Sequence, residues 1–228
     1  MTDHTYIVEV EPGRKVTVRA SLPQNNKPRA LAVMAHGMNN DLDFPLMIEF
    51  AGRLAKNGLA AVRFNFLYRE EGKSNPDNAG LLIGCMNAVT RDARERWSAA
   101  DIPLVLGGKS LGARISATIA GQGPKPAALV YMGFPLQPPG RPDRGREAVI
   151  LNVGNVPQFF AAGTRDPLCP LDRLNKLMPN LPPASKLFTV ENGDHSFHVP
   201  KKDPRSQDEV DAEIAAAATE WLLHVLNL

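Results

Sequence analysis

The sequence predicts an α/β fold: a mostly parallel sheet covered by helices on both faces, with antiparallel strands at its N-terminal side. Continuously apolar strands such as Leu31–Ala35 alternate with segments whose apolar residues recur at helical spacing. Before them, two segments alternate apolar and polar residues, which is typical of an antiparallel hairpin with one solvent-exposed face. The 228 residues contain no internal repeat, which favours one domain over residues 1–228.

The composition excludes several classes of protein. The 26 Lys and Arg residues nearly balance the 24 Asp and Glu residues, so we expect no partner of the nucleic-acid type. Two cysteines, Cys85 and Cys169, are too few for a disulfide framework and are typical of thiols in a reducing compartment. The first residues lack a basic region followed by an apolar core. We therefore expect no signal peptide, no membrane span and a cytoplasmic location.

Apolar periodicity and turn residues define the elements in order. The predicted strands comprise residues 6–10, 15–20, 31–35, 59–66, 102–107, 127–132, 159–162 and 186–190. Helices are predicted near Pro45, over residues 79–99, after Ser110 as far as Gly121, over residues 171–177 and after Ser206. The last helix is the most clearly marked, because Ser206 and Glu209 form a capping box before one apolar stripe. The proline-rich residues 135–142 are stiff and irregular, and do not link two domains.

Residues 104–114 carry the strongest chemical signal. Apolar residues 104–106 run into glycines, and residues 108–112, Gly-Lys-Ser-Leu-Gly, fit the Gly-x-Ser-x-Gly motif of a nucleophile elbow. Such a serine occupies a strained turn between a strand and a helix, where glycines avoid a clash of the flanking side chains across the turn. The helix after Ser110 would aim its first amides at a centre where negative charge develops.

Two other interpretations of this motif stay open on the motif alone. Gly108-Lys109-Ser110 also matches the end of the phosphate-binding pattern Gly-x4-Gly-Lys-Ser/Thr. Against this, Pro103 stands where that pattern needs its first glycine, and residues 104–106 indicate a strand rather than a loop. The other interpretation is an ordinary strand-to-helix turn without chemistry.

Candidate catalytic residues follow three of the predicted strands. Ser110, Asp166 and His195 occur in this order, and ligands of open α/β sheets bind at the carboxyl ends of strands. His195 would take the proton of the Ser110 hydroxyl, and Asp166 would orient the imidazole and stabilise its cation. Asp194 is a rival acid and His198 a rival base. Asp194 adjoins His195 and is poorly placed to reach back to that ring, and His198 lies further from the strand end.

The backbone amides of Leu111 and Met38 are candidates for an oxyanion hole. Leu111 follows the predicted nucleophile, and Met38 lies in the loop after the strand that ends near His36. His36 itself is expected to shape that loop by hydrogen bonding. The side chains expected to line a substrate pocket are Tyr68, Leu136 and Leu168. His195-x-x-His198 lacks a third ligand, so we expect neither a metal nor another cofactor.

Other reactive or charged side chains have competing explanations. Both cysteines lack a base of their own, so they are interpreted as structural. Arg63, Arg69 and Arg114 could face a substrate anion, although a salt bridge or a solvated tip is the more common role. Arg114 lies one helical turn after Ser110 and is expected to brace that helix.

These motifs together resemble a small family of α/β-hydrolases related to the dienelactone hydrolases, which includes the testis-expressed-type hydrolases. The matching residues are His36-Gly37, residues 63–66 with Tyr68, and residues 107–114, 135–140, 163–166 and 193–195. The resemblance covers residues 30–226 and implies the α/β-hydrolase fold with Ser110 as nucleophile, Asp166 as acid and His195 as base. Dienelactone hydrolases proper use a cysteine nucleophile, whereas this chain has a serine.

The sequence therefore predicts a serine hydrolase that cleaves a small carboxylic ester or thioester through an acyl-enzyme. The chain is too short for a large lid, so we expect open access to the site. The alternative is a catalytically silent scaffold of the same fold that binds a protein partner. The three candidate catalytic residues count against that alternative, since a binding module has no need of them.

Overall fold

The computed structural model describes residues 2–25, 27–97, 99–141 and 143–228. The strands are β1 (Thr2–Glu11), β2 (Arg14–Leu22), β3 (Leu31–Ala35), β4 (Ala60–Phe64), β5 (Leu104–Lys109), β6 (Ala128–Met132), β7 (Gln158–Gly163) and β8 (Lys186–Val190). The α-helices are α1 (Pro45–Lys56), α2 (Leu67–Glu70), α3 (Ala79–Arg96), α4 (Leu111–Gln122), α5 (Glu147–Leu151), α6 (Leu171–Leu177) and α7 (Gln207–Val225).

All of these strands join one sheet in the order β1-β2-β4-β3-β5-β6-β7-β8. The β1–β2 and β2–β4 pairs are antiparallel, and every other neighbouring pair is parallel. The predicted α/β fold with antiparallel N-terminal strands is confirmed. Because β5, β7 and β8 run the same way, the loops that follow them emerge at one edge of the sheet.

The core lies on both faces of this sheet. Leu31, Val33 and Ala35 of β3 belong to the cluster covered by α3, α4, α5 and α6. The alternate residues, Ala32 and Met34, belong to the cluster covered by α1 and α7. Burial on both sides explains why β3 is continuously apolar, since successive side chains of a strand point to opposite faces.

The last helix, α7, begins at the predicted capping box. The Ser206 hydroxyl accepts a hydrogen bond from the Glu209 amide at 3.3 Å, and the Glu209 carboxylate accepts one from the Ser206 amide at 2.7 Å. Two amides that the first turn of a helix leaves unpaired are thereby satisfied. Further along, Trp221 packs against Phe159 with ring centroids 5.5 Å apart. The apolar stripe is therefore core.

The differences from the predicted elements are local. β5 continues through both glycines to Lys109, because Gly107 and Gly108 pair with Met34 and Ala35 of β3. Sheet pairing thus overrides the weak strand preference of glycine. The short helices α2 and α5 were not predicted, since so few residues show no periodicity. Helix α4 runs past Gly121 to end before Gly123.

In the part of the chain described, no helix is long and apolar enough to cross a membrane.

Candidate active site

Ser110 occupies a strained turn between β5 and α4. Its backbone has φ 48° and ψ −101°, a region that residues with a side chain rarely adopt. Its amide donates to the Met132 carbonyl at 3.1 Å, which holds the turn against the end of β6. The hydroxyl is thereby presented at the edge of the sheet, at the start of a helix.

The glycines on either side of Ser110 allow close approach to β3. A Cβ atom on Gly108 would lie 2.1 Å from the carbonyl oxygen of Ala35, and one on Gly112 would lie 2.0 Å from the same atom. A side chain at either position would therefore collide with the β3 backbone. The expected clash between the two flanking side chains themselves stays a prediction. The Gly112 amide also donates to the His36 carbonyl at 3.2 Å, so the first turn of α4 sits directly on the end of β3.

A continuous chain of hydrogen bonds joins the three candidate catalytic side chains. Ser110 Oγ lies 2.8 Å from His195 Nε2, and His195 Nδ1 lies 2.8 Å from Asp166 Oδ2. A carboxylate only accepts hydrogen bonds, so Nδ1 carries the proton of the neutral ring. Nε2 is then the acceptor for the Ser110 hydroxyl, which is the arrangement that a general base requires.

The loop after β7 holds Asp166 in place. The Asp166 side chain is fully buried, and its Oδ1 accepts hydrogen bonds from the amides of Leu168 at 2.8 Å and Cys169 at 3.2 Å. The neighbouring Arg165 amide donates to the Gly193 carbonyl at 2.9 Å, which joins this loop to the one that carries His195. One carboxylate oxygen is thus fixed by the backbone and the other is left for the imidazole.

The rival acid and base have other partners. Asp194 Oδ1 accepts hydrogen bonds from the amides of Ser196 at 2.7 Å and His198 at 2.9 Å, so this carboxylate builds the turn around His195. His198 is exposed, and its Nδ1 lies 3.6 Å from Asp194 Oδ2. Neither residue joins the chain of hydrogen bonds that ends at Ser110.

Both candidate oxyanion donors lie at the cleft that contains Ser110. Leu111 is the first residue of α4, where amides have no partner within the helix, and its amide finds no acceptor among the described residues. Met38 lies in the loop after β3, and its carbonyl accepts a hydrogen bond from the Tyr68 hydroxyl at 2.8 Å. Met38, Ser110 and Leu111 all line this one cleft.

His36 braces the loop that carries Met38. Its Nδ1 lies 2.7 Å from the Gly37 carbonyl, and its Nε2 accepts from the Phe66 amide at 3.1 Å. Burial lowers the pKa of His36 to about 4, so the ring is neutral at pH 7 and makes both bonds. The role expected for His36, shaping the loop by hydrogen bonding, agrees with these contacts.

The cleft beside Ser110 has a volume of about 250 Å³. Its lining comprises Met38, Pro76, Asp77, Ala79, Leu82, Ser110, Leu111, Arg114, Pro135, Pro139, Arg146 and Leu168. Leu168 therefore faces the cleft as expected. Tyr68 and Leu136 do not line the cleft, because both are fully buried in the hydrophobic core. A cavity of about 440 Å³ between α3 and α4 is larger, but its described lining contains no serine or histidine.

Comparison with known proteins assigns the chain to a family. The family described as an alpha/beta hydrolase domain matches residues 28–223. The chain belongs to this family. The alpha/beta hydrolase fold implied by the motif resemblance is thereby confirmed, and the finer likeness to testis-expressed-type hydrolases stays a prediction.

Solved structures of other alpha/beta hydrolases share this architecture. The dienelactone hydrolase from Anabaena variabilis has a TM-score of 0.74 and 21% identity, over 99% of this chain and 100% of that chain. An alpha-beta serine hydrolase homologue from Coxiella burnetii has a TM-score of 0.72 and 19% identity, over 99% of this chain and 98% of that chain. XC6422 from Xanthomonas campestris, an a/b serine hydrolase without lid, has a TM-score of 0.68 and 18% identity, over 100% of this chain and 94% of that chain. At these identities the likeness is one of fold.

Sequence reasoning missed Lys109 of this alpha/beta hydrolase. Its side chain is 1% exposed, and its Nζ donates to the His195 carbonyl at 2.5 Å. Burial lowers the pKa of Lys109 to about 8. The sequence signal that could have drawn attention to Lys109 was a lysine at the end of a buried strand.

The phosphate-loop interpretation is wrong, because the Lys109 ammonium group is used in this contact and β5 is regular strand up to Lys109.

The arginines of the hydrolase divide into two kinds. Arg63 is buried and donates to the Leu42 carbonyl at 2.7 Å, and Arg69 lies 3.7 Å from Asp41, so both have structural partners. Arg114 lines the cleft, and its side chain makes no hydrogen bond to a described residue. No side-chain hydrogen bond supports the expectation that Arg114 braces α4, and that role stays a prediction.

The two cysteines of the hydrolase are free and buried. Burial raises the pKa of each thiol to about 12, so neither is a thiolate at neutral pH. Within the described ranges, no group of three or more His, Cys, Asp or Glu side chains is arranged to hold a metal ion.

Proposed function

We propose that this alpha/beta hydrolase is a serine hydrolase that cleaves a small carboxylic ester or thioester through an acyl-enzyme. The observation that carries the proposal is the chain of two 2.8 Å hydrogen bonds from Asp166 through His195 to the Ser110 hydroxyl. A serine hydroxyl is a poor nucleophile until a base removes its proton, and this geometry supplies the base.

In the first half-reaction, Ser110 Oγ attacks the substrate carbonyl carbon as His195 Nε2 accepts the hydroxyl proton. Asp166 keeps the imidazole oriented and stabilises the cation that forms. The oxyanion of the tetrahedral intermediate accepts hydrogen bonds from the amides of Leu111 and Met38. When the intermediate collapses, His195 gives its proton to the departing alcohol or thiol, and the acyl group remains on Ser110.

In the second half-reaction, water takes the place of the leaving group. His195 accepts a proton from water as its oxygen attacks the acyl carbonyl carbon, and the same two amides bind the new oxyanion. Collapse returns the proton to Ser110 and releases the carboxylic acid. One imidazole thus acts in turn as base and acid, as its unobstructed contact with Ser110 allows.

The cleft supports a substrate of modest size. Its volume of about 250 Å³ is at the small end of ligand pockets, and most of its lining is apolar. The Ser110 side chain is half-buried rather than enclosed. We favour ester or thioester cleavage over amide cleavage because an amide has the poorer leaving group. A site open to water does little to strengthen the electrostatic interactions that would stabilise the departure of such a group.

The test combines a fluorophosphonate probe with short-chain 4-nitrophenyl esters and acyl thioesters. We expect the wild type to be labelled and to turn over at least one ester or thioester. Ser110→Ala should lose labelling and about 10⁴-fold or more of its turnover. Ser74→Ala, which removes an exposed loop hydroxyl, is the matched control and should behave as wild type.

A wild type that neither reacts with the probe nor hydrolyses any of these compounds would contradict the proposal. If such a protein instead recovers one stoichiometric partner, with or without Ser110→Ala, the fold serves as a binding scaffold. Labelling of Ser110→Ala at the wild-type level would place the reactive hydroxyl elsewhere.

A further inference from the structure

We propose that Arg114 and Arg146 together bind a carboxylate of the substrate in the cleft beside Ser110. The inference rests on the proposed function and narrows its substrate class to small esters or thioesters that carry a second, ionised group. Both arginines line the cleft that contains Ser110 and Leu111, and no carboxylate of a described residue lies within ion-pair distance of either.

Arg114 is placed by the helix that follows the nucleophile. Its amide closes the first helical bond of α4, donating to the Ser110 carbonyl at 3.1 Å. Side chains of a helix lean toward its N-terminus, so the guanidinium at this position lies on the Ser110 side. The side chain is half-buried and donates no hydrogen bond to the described residues. Its donors are thus available to a molecule in the cleft.

Arg146 lines the same cleft from the segment before α5. It precedes α5, its amide donates to the Leu136 carbonyl at 2.8 Å, and its Nη1 donates to the Pro135 carbonyl at 3.1 Å. One edge of the guanidinium is thereby anchored to the loop after β6. The remaining donors of the planar group are in a fixed orientation, which suits the recognition of a carboxylate.

The acids nearby are engaged elsewhere. Glu147 adjoins Arg146 in sequence, but its carboxylate pairs with Arg173. Asp77 lines the cleft, and its Oδ2 accepts a hydrogen bond from the Tyr68 amide at 2.9 Å. Two guanidinium groups therefore face one acid that is already hydrogen-bonded and lies beyond ion-pair distance of both. The cleft carries excess positive charge.

The two arginines are held at an electrostatic cost. Burial lowers the pKa of Arg114, and the pKa of Arg146 is lowered first by burial and then by the positive charge of Arg114. Both groups stay charged, because arginine does not lose its proton in proteins. An anion between them would offset the mutual repulsion and accept the unused donors. The described apolar lining, including Leu82, Leu111 and Leu168, leaves room for a short hydrocarbon spacer between that anion and the scissile carbonyl.

The experiment compares matched anionic and neutral esters. In the first pair, mono-4-nitrophenyl adipate carries a carboxylate on its acyl group, and 4-nitrophenyl hexanoate is its neutral partner. In the second pair, 4-acetoxybenzoate carries the carboxylate on its leaving group, and its methyl ester is the neutral partner. The readout is the ratio of kcat/KM for the anionic compound to that for its neutral partner, measured at low salt.

We expect this ratio to exceed one for at least one pair in the wild type. It should fall about 10- to 100-fold in Arg114→Gln and in Arg146→Gln, because each variant removes charge-assisted hydrogen bonds. Added salt should reduce the wild-type ratio. Arg91→Gln, an exposed arginine on α3 away from this cleft, is the control and should keep the wild-type ratio. The pair that responds identifies the side of the ester that carries the anion.

The two possible failures are distinguishable. A wild type that hydrolyses the neutral esters but shows the same ratio as both arginine variants overturns the anion subsite and leaves the serine hydrolase intact. A wild type that hydrolyses none of the four compounds and is not labelled by the fluorophosphonate overturns the proposed function. Turnover of the neutral ester by each variant shows that it is folded, so an altered ratio is not caused by unfolding.

Discussion

The Nζ of Lys109 donates a hydrogen bond to the main-chain carbonyl of His195 at 2.5 Å, across 86 positions of the chain. Lys109 is the last residue of β5 and directly precedes Ser110. The element that carries the serine is thus tied to the loop that carries the histidine. Because the lysine is buried, water does not readily replace this contact, and we expect the separation of Ser110 and His195 to depend on it.

Lys109→Met should therefore lower kcat more than it raises KM. A displacement of the imidazole by about 1 Å costs on the order of 100-fold in rate, so we expect a loss of about 10- to 100-fold with a neutral ester. Lys202→Met, at an exposed site, is the control. A folded Lys109→Met protein with wild-type kcat would show that other contacts suffice to hold the His195 loop.

Asp166→Asn separates the proposed acid from its rival. The amide leaves the geometry nearly unchanged but favours the wrong imidazole tautomer, and kcat should fall by about 10⁴-fold. Asp194→Asn keeps an oxygen that can accept from the Ser196 and His198 amides, so its kcat should stay within about tenfold of wild type. The reverse order of effects in ester kinetics would assign the acid to Asp194.

Gly112→Ala tests the contact between α4 and β3. The added Cβ would meet the Ala35 carbonyl oxygen at 2.0 Å, so backbone has to move, and we expect about 3 kcal/mol or more of lost unfolding free energy. Gly84→Ala on α3 is the matched control, because its Cβ would meet nothing within 4 Å. That variant should gain about 0.5–1 kcal/mol from helix propensity. Equal stabilities in urea unfolding would rule out the close approach.

His36 should make stability depend on pH. Its pKa is lowered by burial from 6.5 to about 4, so below pH 6.5 the unfolded chain binds a proton that the folded chain excludes. The stabilising contribution is complete above pH 6.5 and is lost as the pH falls toward 4, by about 3 kcal/mol in all. Unfolding free energies measured at pH 4 to 7 should show this slope in wild type and lack this contribution in His36→Gln.

The control for that measurement is His224→Gln, at an exposed site near the end of α7. It should keep the wild-type slope between pH 4 and 7. If His36→Gln also keeps it, the acid sensitivity arises from other groups.

The sequence by itself determined the order and type of most elements. Apolar alternation and helical spacing are local patterns, and so are the capping box of Ser206 and Glu209 and the turn at Pro12-Gly13. It also pointed to Ser110, Asp166 and His195 as candidate catalytic residues, because each follows a strand of a parallel sheet and such strand ends meet at one edge. The structure brings these three side chains within hydrogen-bonding distance.

Only the tertiary structure decided which other groups surround them. Nothing local relates Lys109 to His195, Arg146 to Arg114, or the glycines beside Ser110 to Ala35. Each of these relations depends on how far a side chain reaches once distant segments have packed. Periodicity reports which face of an element is buried, whereas the neighbours across that face are set by the packing of all the layers together.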